Sequence, residues 1–552
     1  MFQCLQCSGC APEPHRYQLA RLPMTHSRGR VRSWLGDVGA LEWLYLAVGL
    51  GLVHEYRWLF DDAFVYFRYV DNLVLLDLGL VYNAGEYVEG FSSPAHAMVL
   101  IVLRSLGLPF STAIWLMGYL ALVAFWAALV ECNRRWSPPG ARLNAPLALM
   151  CANYGLTTYF TSGLETPLVH AVAACYALAV AAPGTRLAPF VVYASPLVRP
   201  DLALPLAIYL LWRARTRGER LKHLLAWPAA LNGAWLIFRI YYYAELLPNT
   251  FYLKDDVELA TGLRYVWDLV SAYYVVGALA VGLAVFAWRV ARSRPFDAHL
   301  RERALLALLA SSSAAYVVKV GGSPVHYWYL AFPFTLGLAS LGGLFESALS
   351  ARGLDRGSWQ LRGGMVLIVL VSFSLYPRQL SSHPALSSPK VTRPGMIHDA
   401  EWHRRHPGLA PGSFEPEALA ALQRARAADI AHRGYLLWKE GNWCRNLYTN
   451  IDRGVVHSLG LTEKFLAHAT VPELIQGHKV ALVPLAHDLV VVRRREAQGV
   501  GMHRAAVAAG YAAPWIRQNL PAIELIEAKV YNQKALLANF VLAFTPTPAI
   551  VP

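Results

Sequence analysis

Apolar runs alternate with short, arginine-bearing connections over the first two thirds of the chain. Runs fall at 35–53, 110–130, 143–160, 168–182, 187–197, 202–212, 224–243, 269–288, 304–320, 328–349 and 364–376. A membrane helix takes roughly 20 apolar residues, so this pattern predicts a polytopic α-helical membrane protein with about eleven spans. Basic residues choose the sides. Arg28, Arg30 and Arg32 precede the first run, and Arg134, Arg135, Arg142, then Arg213 to Lys222, then Arg289 to Arg303 mark later inner loops. The positive-inside rule then keeps a basic tail at 1–34 cytoplasmic and brings the C-terminus out. The run at 95–107 is short for a span and reads as re-entrant or lying on the surface.

The pattern changes at 61–94, DDAFVYFRYVDNLVLLDLGLVYNAGEYVEGFSSP. If 61–76 is helical, Asp61, Arg68 and Asn72 share one narrow face, with Phe67, Val70 and Val74 opposite. That predicts a membrane-surface helix with a polar site on its protein side. Gly79, Asn83-Ala84-Gly85 and Gly90 then break the period, placing Glu86 and Glu89 on a loop that returns to the membrane at Pro94. By the topology, residues 56–94 form the first outer loop of a transmembrane domain at 35–376.

Beyond Pro377 the composition turns to Ser, His and Pro, a linker at 377–400, and 401–552 reads as a C-terminal soluble α/β extracytoplasmic domain. A capped helix is expected over 413–433, and strands over 455–461, 480–484 and 489–493. The linker histidines His383, His398, His403 and His406 lack regular ligand spacing.

Composition supports the membrane reading. The 552 residues are 56% hydrophobic and only 16% charged, outside the range of ordinary soluble globules. A net charge of +14 suggests nucleic acid at first sight. Its Lys and Arg, however, sit at the ends of apolar runs, as topology demands, which argues against nucleic acid as a partner. Of the seven cysteines only Cys444 lies in the large C-terminal region, so no disulfide framework is implied. Cys4, Cys7 and Cys10 have metal-site spacing without a fourth ligand nearby. Translation from Met24 rather than Met1, or an unstructured tail, accounts for them better. No small-residue cleavage site follows the first apolar run.

Ionisable residues concentrate in the outer segments: Asp61, Asp62, Arg68, Glu86, Glu89, Glu165, Arg199 with Asp201, Lys254 and His326. Charges near the bilayer boundary are costly unless paired, so both signs gathered on one side suggest a site. Simpler accounts stand beside this one. Acids at a helix start gain up to about 1 kcal/mol from the macrodipole; Arg199 and Asp201 can be an interfacial ion pair; Lys254 can snorkel; His326 can be a packed interface histidine. The chemical reading makes one of Asp61 and Asp62 a general base. The other orients it or, with Asp62 as the ligand, binds a divalent cation (Mg, Mn or Ca) through oxygen.

Several blocks occur in order: DDAFVYFRYVDNL, GLVYNAGEYVEGFSSP, TSGLETPL, VRPD, LLPNTFYLK, a Gly-Gly outer loop before an aromatic-rich run, and GLTEKFLAHATV. Together they resemble the GT-C glycosyltransferases, most of all the mycobacterial arabinofuranosyltransferase B type, the terminal β-(1→2)-arabinofuranosyltransferases. The resemblance spans most of 35–471. It implies transfer of a sugar, with arabinofuranose the family's own, from a polyprenyl-phosphate carrier to a cell-envelope glycan on the outer face of the cytoplasmic membrane. It further implies Asp61 and Asp62 as the catalytic pair, and Arg68, Tyr69, Glu89, Glu165, Arg199, Asp201, Asn249 and Lys254 as residues of the matching substrate-binding blocks, with His326 beside them. Two departures stand out: Gly321-Gly322-Ser323 where relatives commonly read GGD, and Glu463 where Asp is usual.

A lipid-linked sugar fits the chemistry. Polyprenyl phosphate is already a good leaving group, so the reaction needs a base on the acceptor hydroxyl and positive charge for the departing phosphate, which Arg199, Lys254 or a cation would supply. Displacement in one step inverts the anomeric centre. A lipid or sugar flippase is the main alternative, predicting broken helices and paired halves; a glycan-binding membrane anchor is the other.

Overall fold

A computed structural model describes residues 35–60, 62–137, 143–185, 187–252, 259–272, 298–322 and 327–342, with shorter pieces at 363, 366–367, 415–427, 435–437, 448, 451, 454–456, 489–495, 523–532 and 537–546. The expectations for Asp61, Lys254, His326, the Ser323 departure, Glu463 and the strand at 480–484 lie outside the described residues, as do the linker and most of the runs at 269–288 and 364–376. Residues 1–40 form one unit and Leu41–Pro552 another, and the second holds the core, the sheets and the candidate site.

The described chain is mostly helical. It begins with α1 (Ala40–Glu55), α2 (Ala63–Val74), α3 (Pro94–Ser105) and α4 (Phe110–Trp136). At 27 residues α4 is long and apolar enough to cross a membrane, the one such helix among the described residues; α3 and α7 (Thr166–Ala181) are shorter apolar helices. Its rise of 1.5 Å per residue gives a rod about 40 Å long. Pro109 opens it, and Glu131 pairs with Arg134 at 2.9 Å and Arg135 at 2.7 Å in its last turns. Gly118 leaves room for the Phe160 carbonyl where a Cβ would otherwise stand, so α4 and the chain before α7 pack at close range.

The expected span at 143–160 is instead two short helices, α5 (Ala145–Cys151) and α6 (Tyr154–Thr158). The break has a local cause. The Asn153 side chain accepts a hydrogen bond from the Leu156 amide at 2.7 Å and caps a new helix, while Asn144 sits left-handed ahead of the first. Asn prefers such caps to helix interiors because its side chain competes for backbone groups.

The expected run at 187–197 is itself broken at Ala194 into α8 (Leu187–Tyr193) and α9 (Ser195–Val198), while the expected turn at 198–201 is present as a 3-10 turn at Pro200–Leu202 before α10 (Ala203–Arg217). After α11 (Leu221–Tyr243), the expected outer loop holds one turn of helix, α12 (Asn249–Tyr252), and α13 (Leu259–Ala272) begins inside it. Then come α14 (Ala298–Lys319), a 3-10 turn at Trp328–Leu330 and α15 (Ala331–Ser340).

In the C-terminal region α16 (Glu415–Ala427) falls within the expected helix. Strands β1 (Tyr435–Leu437) and β2 (Gly454–Val456) pair in parallel. Strands β3 (Leu489–Arg495), β4 (Ile523–Asn532) and β5 (Leu537–Pro546) form an antiparallel sheet in the order β3-β5-β4. The expected strands at 455–461 and 489–493 overlap β2 and β3, whereas the β4–β5 hairpin has no counterpart among the expectations.

Helix α2 lies at the centre of the hydrophobic core. Arg68 and Asn72 share a face as the periodicity requires. The opposite face is not turned to a membrane surface: Phe67 and Val70 are fully buried, and the Phe67 ring stacks on Phe110 at 4.2 Å. Periodicity defines the helix and its polar side but not the second layer, because Phe110 arrives from a distant part of the chain.

Candidate active site

Helix α2 starts beside the Thr161–Glu165 turn. The Phe60 amide donates to the Ser162 carbonyl at 2.7 Å, and Trp58 donates to the Thr158 carbonyl at 3.1 Å. Gly163 adopts φ +81°, and a Cβ there would lie 2.6 Å from that of Ala63. The TSGLET block therefore needs its glycine twice, for the left-handed backbone and for the close approach. Asp62, half-buried, occupies the N-cap of α2, yet its carboxylate does not accept from the amides of the first turn. Capping does not account for it.

Two more helices begin at this corner. Ser93 caps α3 by accepting from the His96 amide at 3.3 Å. His96 packs edge-on to Tyr66 and is bonded through Nε2 to the Gly163 carbonyl at 3.0 Å. Tyr66 in turn accepts from the Ser93 amide at 3.2 Å. Helix α7 starts at Thr166, with Glu165 at its N-cap. The N-termini of α2, α3 and α7 thus meet around Gly163, and each carries a partial positive charge.

Trp328 joins this corner to the RPD turn. Its indole donates to Glu165 at 2.8 Å, and its ring lies 6.4 Å from that of Phe60. Its carbonyl and that of Tyr329 accept from Arg199 at 3.4 and 3.5 Å, and the Tyr329 ring lies under the Arg199 guanidinium. Arg199 also binds both oxygens of Asp201, at 2.9 Å each. The expected ion pair is present and buried.

The return loop is braced from α2. Arg68 donates to the Tyr82 carbonyl at 2.7 Å and to Asn83 at 3.4 Å; Asn72 donates to the Val81 and Tyr82 carbonyls at 2.8 and 3.0 Å. Tyr69 donates to the Val88 carbonyl at 2.6 Å and accepts from the Gly90 amide at 2.9 Å. Glu86 accepts from Asn83 at 2.8 Å. Each bond to the main chain satisfies a buried group that the irregular backbone leaves unpaired.

Glu89 faces α11. Its carboxylate pairs with Arg239 and accepts from Trp235 at 3.2 Å, while its own carbonyl accepts the Asn249 amide at 3.0 Å. The EG and PNT blocks are thereby joined. Burial pushes the Glu89 carboxyl above its ordinary value against the opposing pull of Arg239 and Trp235.

Of the residues expected at the site, Asp62, Glu165, Arg199 and Asp201 gather at one corner, while Arg68, Tyr69, Glu89 and Asn249 form the loop framework beside it. Among the described residues no three of His, Cys, Asp or Glu form a metal-sized group. Sequence reasoning did not single out Trp328, Arg239, Tyr66 or His96. Arg239 had a readable signal, as an arginine inside an apolar run.

Comparison with known proteins gives one relative of established activity. The chain is 27% identical over 437 residues to the terminal β-(1→2)-arabinofuranosyltransferase of Mycobacterium tuberculosis, covering 70% of this chain and 69% of that one. The two are distant relatives. No family model and no solved structure matches the chain. The glycosyltransferase likeness rests on the extent of the match rather than on any single block.

Proposed function

We propose that this protein is a GT-C type membrane glycosyltransferase. It moves a sugar from a polyprenyl-phosphate carrier to a cell-envelope glycan on the outer face of the cytoplasmic membrane. The observation that carries this reading is the meeting of the start of the Asp62 helix with the GLET turn around Gly163, and the joining of the RPD turn to that turn through Trp328, beside a distant arabinofuranosyltransferase relative.

In this reading a multi-pass topology of up to about eleven crossings, the one at 143–160 made by two short helices, holds the corner at the outer boundary of the bilayer. Asp62, with Asp61, takes the proton of the acceptor hydroxyl as it attacks the anomeric carbon. The bond to the carrier phosphate breaks on the opposite side, inverting that centre. The three helix N-termini and Lys254 offset the negative charge released on the phosphate. Arg199 acts through the turn it fixes, since its guanidinium is held by Asp201 and two carbonyls. A divalent cation at this corner would be held through an Asp62 oxygen, but among the described residues no three His, Cys, Asp or Glu side chains gather to complete such a site, so no step runs through a cation. Arabinofuranose is the donor sugar favoured by the relative.

Purified protein in liposomes, given polyprenyl-phosphate donors of arabinofuranose, ribofuranose and mannose with an arabinan acceptor, tests the proposal. Carrier phosphate should be released from one donor and not when Asp62→Asn replaces the wild type. No release from any donor, or full release from the variant, overturns it. Movement of intact carrier across the bilayer without phosphate release would instead mark a flippase.

A further inference from the structure

Helix α2 is held at its far end by a part of the chain more than three hundred residues away. The Tyr448 hydroxyl donates to Asp71 at 2.6 Å, and Asp71 also binds Arg104 of α3 at 2.7 Å. The Tyr448 ring fills the space between Phe64, Phe67 and Phe110, at 5.8 to 6.0 Å from each centroid. Two contacts beside it are independent of these. Ser111, in the first turn of α4, donates to Glu415 at 2.5 Å, and Arg426 reaches the Leu75 carbonyl at 3.4 Å just past the end of α2. Ala418, Ala421 and Leu422 of α16 enter the same hydrophobic core.

This arrangement is more than filling. Asp71 is fully buried, and a buried carboxylate is costly unless every partner is in place. Two of its partners come from different elements, so the α2–α3 crossing and the C-terminal contact are set together. Because α2 is a single rigid helix, a shift at Asp71 carries to its start, where Asp62 stands. Misplacing a reacting group by a fraction of its reach lowers the rate without changing what binds.

We infer that the C-terminal segment carrying α16 and Tyr448 is a brace for α2, and that Tyr448 is a positioning residue for the chemistry at Asp62. The positioning role rests on the proposed transferase activity; the brace itself does not. Substitution Tyr448→Phe keeps the ring in its aromatic pocket and removes only the bond to Asp71. Glu415→Gln weakens the second contact at a site removed from the aromatic cluster.

The test uses the full chain in lipid nanodiscs, with farnesyl-phosphoryl arabinofuranose, ribofuranose and mannose as donor probes and an arabinan as acceptor. Amide hydrogen exchange is followed across 63–74. In Tyr448→Phe exchange there should quicken about tenfold, the scale of one hydrogen bond to a charged group. The value of kcat should fall about tenfold while KM for the donor stays within about twofold. Glu415→Gln should show the same signature at smaller size. Exchange unchanged in both variants overturns the brace, and faster exchange with unchanged kcat overturns the positioning role. If the wild type turns over no donor, the transferase reading falls and the exchange measurement still decides the brace.

Discussion

The Glu89–Arg239 pair gives the sharpest energetic prediction. Substitution Arg239→Met removes the cation and leaves a carboxylate that is only 2% exposed, with the Trp235 indole as its remaining partner of this set. Breaking a buried pair on one side costs about 3–5 kcal/mol, because the other charge stays uncompensated. Arg239 also donates to the Leu246 carbonyl at 3.2 Å, and losing that bond adds about 1 kcal/mol. The double variant Glu89→Gln with Arg239→Met removes the stranded charge and should recover most of the loss, leaving roughly the smaller contribution. Thermal unfolding in detergent micelles reads both. Arg239→Met should lower Tm by about 5 °C or more, and the double variant should lie well above it. A double variant as unstable as Arg239→Met alone would refute the reasoning, since the penalty would then not come from an unpaired carboxylate.

Three further outcomes concern other parts of the site. Gly163→Ala sets a Cβ 2.6 Å from that of Ala63 on a backbone at φ +81°; phosphate release should fall at least about tenfold through displacement of α2, checked against Gly49→Ala, whose Cβ would meet Met150 at 3.2 Å, away from this turn, as a control for packing alone. Asp62→Asn should lower kcat by about a hundredfold or more, the usual loss for a general base, while KM for the donor changes little. Burial holds the Glu89 carboxyl above its ordinary 4.5, so the native protein binds this proton more tightly than the unfolded chain. The stability from this group is then fully present below pH 4.5 and is lost as pH rises through the folded value; a Tm series in Glu89→Gln should lack that part of the slope.

Local pattern is enough to find α2, its polar side, the return loop and the turns at Thr161–Glu165 and Val198–Asp201. These are set by residues within one or two turns of each other: the spacing of Arg68 and Asn72, and the glycines at 79 and 85 with φ of +87° and +79°. What local pattern misjudges is decided by partners far along the chain. Apolar Phe67 and Val70 predict a membrane face for the outer side of α2; Phe67 is covered by Phe110 and Tyr448, and Val70 is buried with it. Continuous hydropathy predicts one helix over 143–160, and Asn153 divides it by a hydrogen bond that an average does not register. Arg68 and Glu89, singled out by charge, have loop carbonyls and Arg239 among their partners, which the local pattern does not name. Charge in an apolar setting signals that a residue matters without saying to which neighbour.

The meeting of three helix starts around Gly163 has a consequence for how such a seat would behave across environments. Peptide dipoles do not titrate, and no point substitution deletes them. The part of the field that an anion bound there would feel from the main chain is therefore the same in acid and alkaline media, and whatever varies with pH comes from the Asp62 and Glu165 carboxyls set at two of the helix starts.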